Sequence, residues 1–293
     1  MFVNSDIKTK AITYWLLTIY LLLIFMIAIG GLTRLTDSGL SITQWELFSG
    51  FIPPLTDISW NKYFDLYKEI PEFKLQNYDM TMAEFKVIFW WEWIHRFLGR
   101  LIGISFLIPL IYFTYRTSFK QMLNYYIIFF LICFQGFIGW YMVSSGLVDR
   151  IDVSHYRLAV HLMIAFIILS LILWNYLDLK ALNFPERSIS FYLSLFLLFI
   201  IYAQISIGAF VSGMDAGTIY NTWPLMGPSY FPDDNKISNL FALSAFNDPS
   251  LVQFIHRNLA YLIIFFYIYI FFKIYRNKLK RLYGPINLIG LRS

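Results

Sequence analysis

Long apolar runs separated by short polar connections dominate the chain. An α-helix needs about 20 apolar residues to cross a bilayer, and six of the runs are long enough. They are Ile12–Leu32, Phe85–Tyr115, Leu123–Val143, Tyr156–Tyr176, Ile189–Val211 and Leu251–Tyr275. The second run exceeds one span, so we expect its first turns to lie outside the membrane or the helix to tilt. The pattern predicts an all-α, polytopic membrane helix bundle with six spans.

Composition and charge place the protein in membrane lipid and orient it. Hydrophobic residues make up 58% of the chain and charged residues 14%, which excludes an ordinary soluble globule. The net charge of +5 needs no nucleic-acid partner, because the basic residues gather on alternate connections. These are Lys8 and Lys10, Arg116 and Lys120, Lys180 and Arg187, and Lys273 through Arg281. The positive-inside rule then puts the N-terminus in the cytoplasm and the acidic loops 35–84 and 213–250 outside. No transit segment precedes the first run, so we expect a bacterial inner (plasma) membrane.

One membrane segment and the loop after it occur twice. The string GGLTRLTDSGLSITQW at Gly30–Trp45 matches GAFVSGMDAGTIYNTW at Gly208–Trp223, with identical residues 178 positions apart. The identical pairs are Gly30 and Gly208, Asp37 and Asp215, Gly39 and Gly217, Trp45 and Trp223, and Pro54 and Pro232. Each copy leads to an apolar segment with a His-Arg pair, His95-Arg96 or His256-Arg257. We therefore predict a duplicated unit, with a four-helix half over 1–180 and an incomplete half over 181–293.

Three histidines, His95, His161 and His256, lie in the predicted outer halves of apolar segments. Ionisable side chains inside a membrane usually face a bundle interior and mark functional sites. Two neutral imidazoles from facing helices can ligate a haem iron, and His95 and His161 are the natural pair. A single histidine at such a depth has another interpretation, a hydrogen bond to a neighbouring helix. We interpret His155, at the outer end of the same helix as His161, as interfacial.

Charged residues accompany these candidate ligands. Glu92 precedes His95 by three residues, which puts a carboxylate about one helical turn toward the outer surface, where it can accept protons above a haem edge. An ion pair with Arg96 is a compatible alternative role for Glu92. Arg96 and Arg257 could each hold a haem propionate, or instead reach lipid headgroups or acidic loops.

These residues belong to longer strings that carry a family resemblance. The strings are GLTRLTDSGLS at Gly31–Ser41, EFKVIFWWEWIHRFLG at Glu84–Gly99, QGFIGWYMVSSGL at Gln135–Leu147, VSHYRLAVHL at Val153–Leu162, GAFVSGMDAGTIYNTWPLMG at Gly208–Gly227 and VQFIHR at Val252–Arg257. In these strings the chain resembles haem A synthase, in the branch shared by mitochondria and alphaproteobacteria. The resemblance runs from about residue 20 to about residue 275.

The resemblance implies a fold, a reaction and residue roles. The family is an eight-helix bundle of two four-helix halves, and it converts the C8 methyl of haem O to the formyl of haem A for cytochrome c oxidase. His95 and His161 would then bracket the substrate haem, with Glu92 as the carboxylate needed for turnover. His256 would be an axial ligand of the haem b cofactor. Haem O would be handed over by haem O synthase, while the electron donor and homo-oligomerisation are left open.

The carboxyl-terminal part departs from the family pattern. The family continues through two further spans after Tyr275, whereas this sequence has a short apolar stretch, Gly284–Leu291, and ends at Ser293. We therefore expect six of eight spans, a weakened haem b site and impaired haem A formation. The alternatives are a bis-histidine membrane cytochrome that only carries electrons and a non-catalytic haem-binding remnant.

Overall fold

A computed structural model describes residues 5–149, 151–180 and 190–276. Within these ranges the chain is helical and has no strand. The helices are α1 (Ser5–Leu35), α2 (Asp57–Lys68), α3 (Pro71–Leu75), α4 (Met82–Arg116), α5 (Phe119–Asp149), α6 (His155–Leu179), α7 (Phe191–Gly213) and α8 (Pro249–Arg276). All but α2 and α3 are long and apolar enough to cross a membrane, which confirms the predicted polytopic bundle with six spans. The apolar stretch Gly284–Leu291 lies outside the described residues.

The chain divides into two compact units, Met1–Leu182 and Asn183–Ser293. In the first unit α1 packs against α4 and α6, and α5 packs against the same two helices. The four spans therefore form a ring in which α4 and α6 stand diagonally opposite each other. In this ring sequential spans are neighbours, and contact between α1 and α6 closes it.

Two apolar clusters fill the first unit at different levels. The inner cluster is built from the inner halves of the four spans, with Leu16, Ile19, Phe106, Ile128 and Ile172 among its buried members. The outer cluster lies between the first turns of α4 and the loop helices, and it contains Leu40, Trp60, Tyr67, Phe85 and Phe89. On α4 the two clusters are separated by the segment that carries His95. His95 and His161 thus lie in a layer between two apolar clusters of the first unit.

Helices α2 and α3 form an outer cap that the hydropathy pattern does not reveal. The local signal for α2 is a capping box at its start. The Thr56 side chain accepts from the Ser59 backbone N–H, and the Ser59 hydroxyl accepts from the Thr56 backbone N–H. On α2, Trp60, Phe64 and Tyr67 recur at helical spacing and are buried. Because these rings pack on the first turns of α4, the cap is fixed directly above the layer of the candidate ligands.

Helix α4 is long enough to belong to both the membrane and the cap. Its 35 residues span about 52 Å, well beyond a bilayer core of about 30 Å. A second capping box starts it, because Glu84 accepts from the Thr81 backbone N–H at 2.8 Å. Its first turns pack beneath the cap through Phe85 and Phe89. That they stand outside the membrane stays a prediction.

The second unit contains α7 and α8 packed against each other. The loop between them has three short 3₁₀ helices, Ala216–Thr218, Ile237–Phe241 and Leu243–Asn247. Asp248 precedes α8, and its Oδ1 accepts from the Leu251 backbone N–H at 3.0 Å, which satisfies a free donor of the first turn. The loop therefore leads directly into the helix that carries His256.

The cap also contains a buried carboxyl group, Glu72, whose side chain is only 3% exposed. The Tyr67 hydroxyl donates to Glu72 Oε1 at 3.0 Å, and Asn77 Nδ2 donates to the Tyr67 oxygen at 2.8 Å. Burial raises the pKa of Glu72 from 4.5 to about 8, helped by negative charges on Glu92, Asp152 and Asp37 and opposed by the Tyr67 hydrogen bond. Glu72 is therefore protonated in the folded protein at neutral pH.

This raised pKa makes the stability of the cap depend on pH. Between pH 4.5 and about pH 8 the folded state keeps a proton on Glu72 that the unfolded state releases. The free energy of unfolding therefore falls as pH rises through that window. We expect Glu72→Gln to remove this fall. Near pH 8 the free energy of unfolding of the variant should then exceed that of the natural protein by more than about 1 kcal/mol. The measurement is the thermal midpoint in detergent across the window, with the exposed Glu69→Gln as control. Equal pH dependence in all three proteins would contradict the assignment.

Candidate functional site

Each candidate histidine lies against a glycine of a neighbouring helix. A Cβ at Gly30 of α1 would stand 2.9 Å from Cε1 of His95. A Cβ at Gly139 of α5 would stand 3.0 Å from Cε1 of His161, and one at Gly208 of α7 would stand 3.1 Å from Cε1 of His256. Such distances leave no room for a larger residue. The three glycines are therefore the seats on which the imidazole rings rest, and we call them the seat glycines.

His95 on α4 and His161 on α6 stand on diagonally opposed helices of the first unit. Each ring is flanked by its seat glycine, on α1 for His95 and on α5 for His161. The structure thus places this predicted pair on two diagonally opposed helices of one bundle.

The donor set of this site fits a haem iron better than a bare metal ion. The Nδ1 atoms of His95, His161 and His256 are buried and have no hydrogen-bond partner among the described residues. In the same part of the chain no group of three or more His, Cys, Asp or Glu side chains could hold a metal ion. A haem supplies four ligands of its own and needs only one or two imidazoles, so His95 and His161 suffice for it.

Glu92 is held by four hydrogen bonds, which explains how a carboxylate 3% exposed is accommodated. Its Oε2 accepts from the Ser41 hydroxyl and from the Ile42 backbone N–H, both at 2.7 Å. Its Oε1 accepts from Arg96 Nε at 3.0 Å and from Arg96 Nη2 at 2.6 Å. The predicted ion pair is therefore present, and Glu92 also ties the loop after α1 to α4. An unpaired charge at this depth would cost several kcal/mol.

The arginines after the histidines clamp the outer loops in the same way in both units. Arg96 Nη2 donates to the Ile42 carbonyl at 2.7 Å and Nη1 to the Gln44 carbonyl at 3.1 Å. Arg257 Nη2 donates to the Tyr220 carbonyl at 2.6 Å and Nη1 to the Thr222 carbonyl at 2.8 Å. The sequence analysis allowed contacts of these arginines with the acidic loops, but it did not predict the backbone carbonyls as acceptors, because backbone acceptors leave no residue pattern. Propionate contacts by Arg96 and Arg257 stay a prediction.

The duplicated loops share their backbone conformation as well. The acceptors of the two clamps are 178 residues apart, the same separation as in the sequence repeat. Asp37 and Asp215, one such pair, both adopt the left-handed region, with φ of 47° and 51°. Aspartate tolerates this region better than most residues. The repeat therefore corresponds to one local structure, a loop clamped over a helix that carries the histidine.

Comparison with known proteins identifies the family of the chain. A family model described as cytochrome oxidase assembly protein matches residues 13–289. The chain belongs to this family. No solved structure matches the chain significantly.

Curated relatives of the family member are named haem A synthase. The protein from Pelagibacter ubique is 52% identical over 278 residues, which cover 93% of this chain and 83% of that protein. The protein from Parvibaculum lavamentivorans is 44% identical, with coverage of 89% and 77%. The protein from Maricaulis maris is 46% identical, again with coverage of 89% and 77%.

The seat glycines can be tested with matched substitutions on the same helices. We expect Gly30→Ala to push the His95 ring out of place and to weaken haem retention by about tenfold or more, because overpacking costs about 1–3 kcal/mol. Gly31→Ala is the control, since a Cβ there meets nothing within 4 Å. Gly139→Ala and Gly136→Ala form the same comparison for His161. The measurement is haem content and the low-spin spectrum of the purified protein. Equal haem retention within each pair would contradict the role of the seats.

Proposed function

We propose that this protein is an oxidoreductase of haem A biosynthesis that converts the C8 methyl of haem O to a formyl group. The observation that carries the proposal is the pair His95 and His161 on diagonal helices, with the buried carboxylate of Glu92 one turn from His95. The curated relatives named haem A synthase support it, because they align with most of the chain.

In this proposal His95 and His161 hold the substrate haem from its two faces. The seat glycines fix both rings before the substrate binds, which reduces the entropy lost on binding. The layer between the two apolar clusters excludes water from the reacting methyl group. Glu92 receives protons at Oε2, which also accepts from the Ser41 hydroxyl and the Ile42 backbone N–H, both at 2.7 Å.

The second unit would hold haem b through His256, and this cofactor would supply one-electron transfer to the first site. At present Nε2 of His256 is hydrogen-bonded to Gln204 Nε2 at 3.2 Å. This contact has to open when Nε2 binds iron.

Two further parts of the proposal concern delivery and location. Haem O is transferred from haem O synthase, and the protein lies in a bacterial inner membrane with its N-terminus in the cytoplasm. The cap then covers the site on the outer side.

One observation also favours a membrane cytochrome that only carries electrons. All the hydrogen bonds of Glu92 are accepted from the loop and from Arg96, so the carboxylate could serve only to anchor the cap. In that case the histidine pair would bind haem and no product would form. Replacement of Glu92 separates the two functions.

Glu92→Gln tests catalysis directly. The amide oxygen can still accept from Ser41 and Ile42, and Arg96 keeps its hydrogen bonds to the Ile42 and Gln44 carbonyls, so we expect haem binding to persist although loss of the ion pair lowers stability. Haem A formation should fall about 100-fold or more, because the proton acceptor is lost. The measurement is chromatography of haems extracted after expression with a haem O source, alongside the pyridine haemochrome spectrum. Glu46→Gln, in the same loop and bonded to Tyr63, is the control. Unchanged haem A in Glu92→Gln would refute the catalytic role, and bound haem without haem A in the natural protein would favour the cytochrome.

The ligand assignment on α6 has its own control on the same helix. We expect His161→Ala to abolish the low-spin, six-coordinate spectrum of the first site, because one axial ligand disappears. His155→Ala removes the other histidine of α6 and should leave that spectrum unchanged. Optical and electron paramagnetic resonance spectra of the two variants give the answer. Loss of the spectrum in both variants, or in neither, would refute the assignment.

A further inference from the structure

Glu92 has a counterpart in the second unit that is an amide. Gln253 precedes His256 by three residues and Arg257 by four, as Glu92 precedes His95 and Arg96. Both side chains are buried, with 3% of Glu92 and 5% of Gln253 exposed. The two residues thus occupy the same place in the duplicated structure, one charged and one neutral.

The two side chains fasten their loops with opposite hydrogen-bond polarity. Glu92 Oε2 accepts from Ser41 and from the Ile42 backbone N–H. Gln253 Nε2 donates to the Tyr220 carbonyl at 3.0 Å and to the Gly217 carbonyl at 3.4 Å. The orientation of the amide follows from these neighbours, because its oxygen would be repelled by two carbonyl oxygens.

The hydrogen bonds of Arg96 and Arg257 add to this difference in polarity between the two units. In the first unit Arg96 gives two hydrogen bonds to Glu92 in addition to its loop contacts. In the second unit Arg257 donates to the carbonyls of Tyr220, Thr222 and Leu225. The Oε1 atom of Gln253 is buried and has no partner among the described residues. A carboxylate at position 253 would therefore face two carbonyl oxygens without the donors that neutralise Glu92.

We propose that Gln253 confines the carboxylate chemistry to the first unit. It fastens the outer loop of the second unit as a donor, and the carbonyls it binds exclude an ionised carboxylate from the position equivalent to Glu92. The inference rests on the proposed function, in which the first unit oxidises haem O and the second transfers electrons. Gln253 is a positioning residue, since it acts through the loop over His256.

Two substitutions of Gln253 separate charge from the simple loss of a donor. Gln253→Glu keeps the size of the side chain and introduces a charge, whereas Gln253→Leu removes the donor without a charge. We expect amide hydrogen exchange in the segment 216–227 of the full chain to rise in both variants, and at least tenfold more in Gln253→Glu. The reason is that a buried, unpaired carboxylate costs more than two unpaired carbonyls. The amount of haem retained at His256 should fall in both variants, and it should fall further in Gln253→Glu than in Gln253→Leu.

The outcomes are distinct. The proposal is overturned if the amides of segment 216–227 are protected from exchange in Gln253→Glu as well as, or better than, in Gln253→Leu. The position would then tolerate a charge. Gln253→Met, neutral and as long as glutamine, replaces Gln253→Leu if the leucine variant does not fold. The extracted haems of the same samples report the proposed function separately. Absence of haem A from the natural protein would refute that function, while the exchange comparison would still decide the role of Gln253.

Discussion

The buried ion pair of Glu92 and Arg96 is the interaction on which the first unit depends. It joins the helix that carries His95 to the loop after α1, through donors from Ser41 and Ile42 on one side and a guanidinium on the other. Removing either partner would leave an uncompensated charge, which costs about 3–5 kcal/mol in a buried site. The outer cap is thus attached to α4 in two ways, through this ion pair and through the packing of its aromatic rings on Phe85 and Phe89.

The duplication preserves geometry while changing chemistry. In both units a seat glycine supports the histidine, an arginine after it clamps two loop carbonyls, and an aspartate in the loop adopts positive φ. The residue one turn before the histidine differs in charge, Glu92 against Gln253. Electrostatic effects are strong in a site shielded from water, so in the proposed function this difference would give two similar sites different roles.

The division of the first unit into two apolar clusters explains how a helix bundle can hold a large flat ligand. The inner cluster fixes the spacing of the four spans, and the outer cluster fixes the cap over the first turns of α4. Between them the rings of His95 and His161 rest on glycine backbones, so their positions are set by packing before a ligand binds. Preorganisation of this kind favours tight, oriented binding.

The sequence by itself determined what depends on local periodicity and spacing. Six apolar runs became the six spans, and the spacing of four between Glu92 and Arg96 became an ion pair, because both follow from the helical repeat. Only the tertiary structure decided the diagonal placement of His95 and His161, the glycine seats, the carbonyl clamps and the opposite polarity at Gln253. These features join backbone groups and side chains that are tens of residues apart. Because every residue has a backbone carbonyl, the sequence does not show which carbonyl accepts a hydrogen bond.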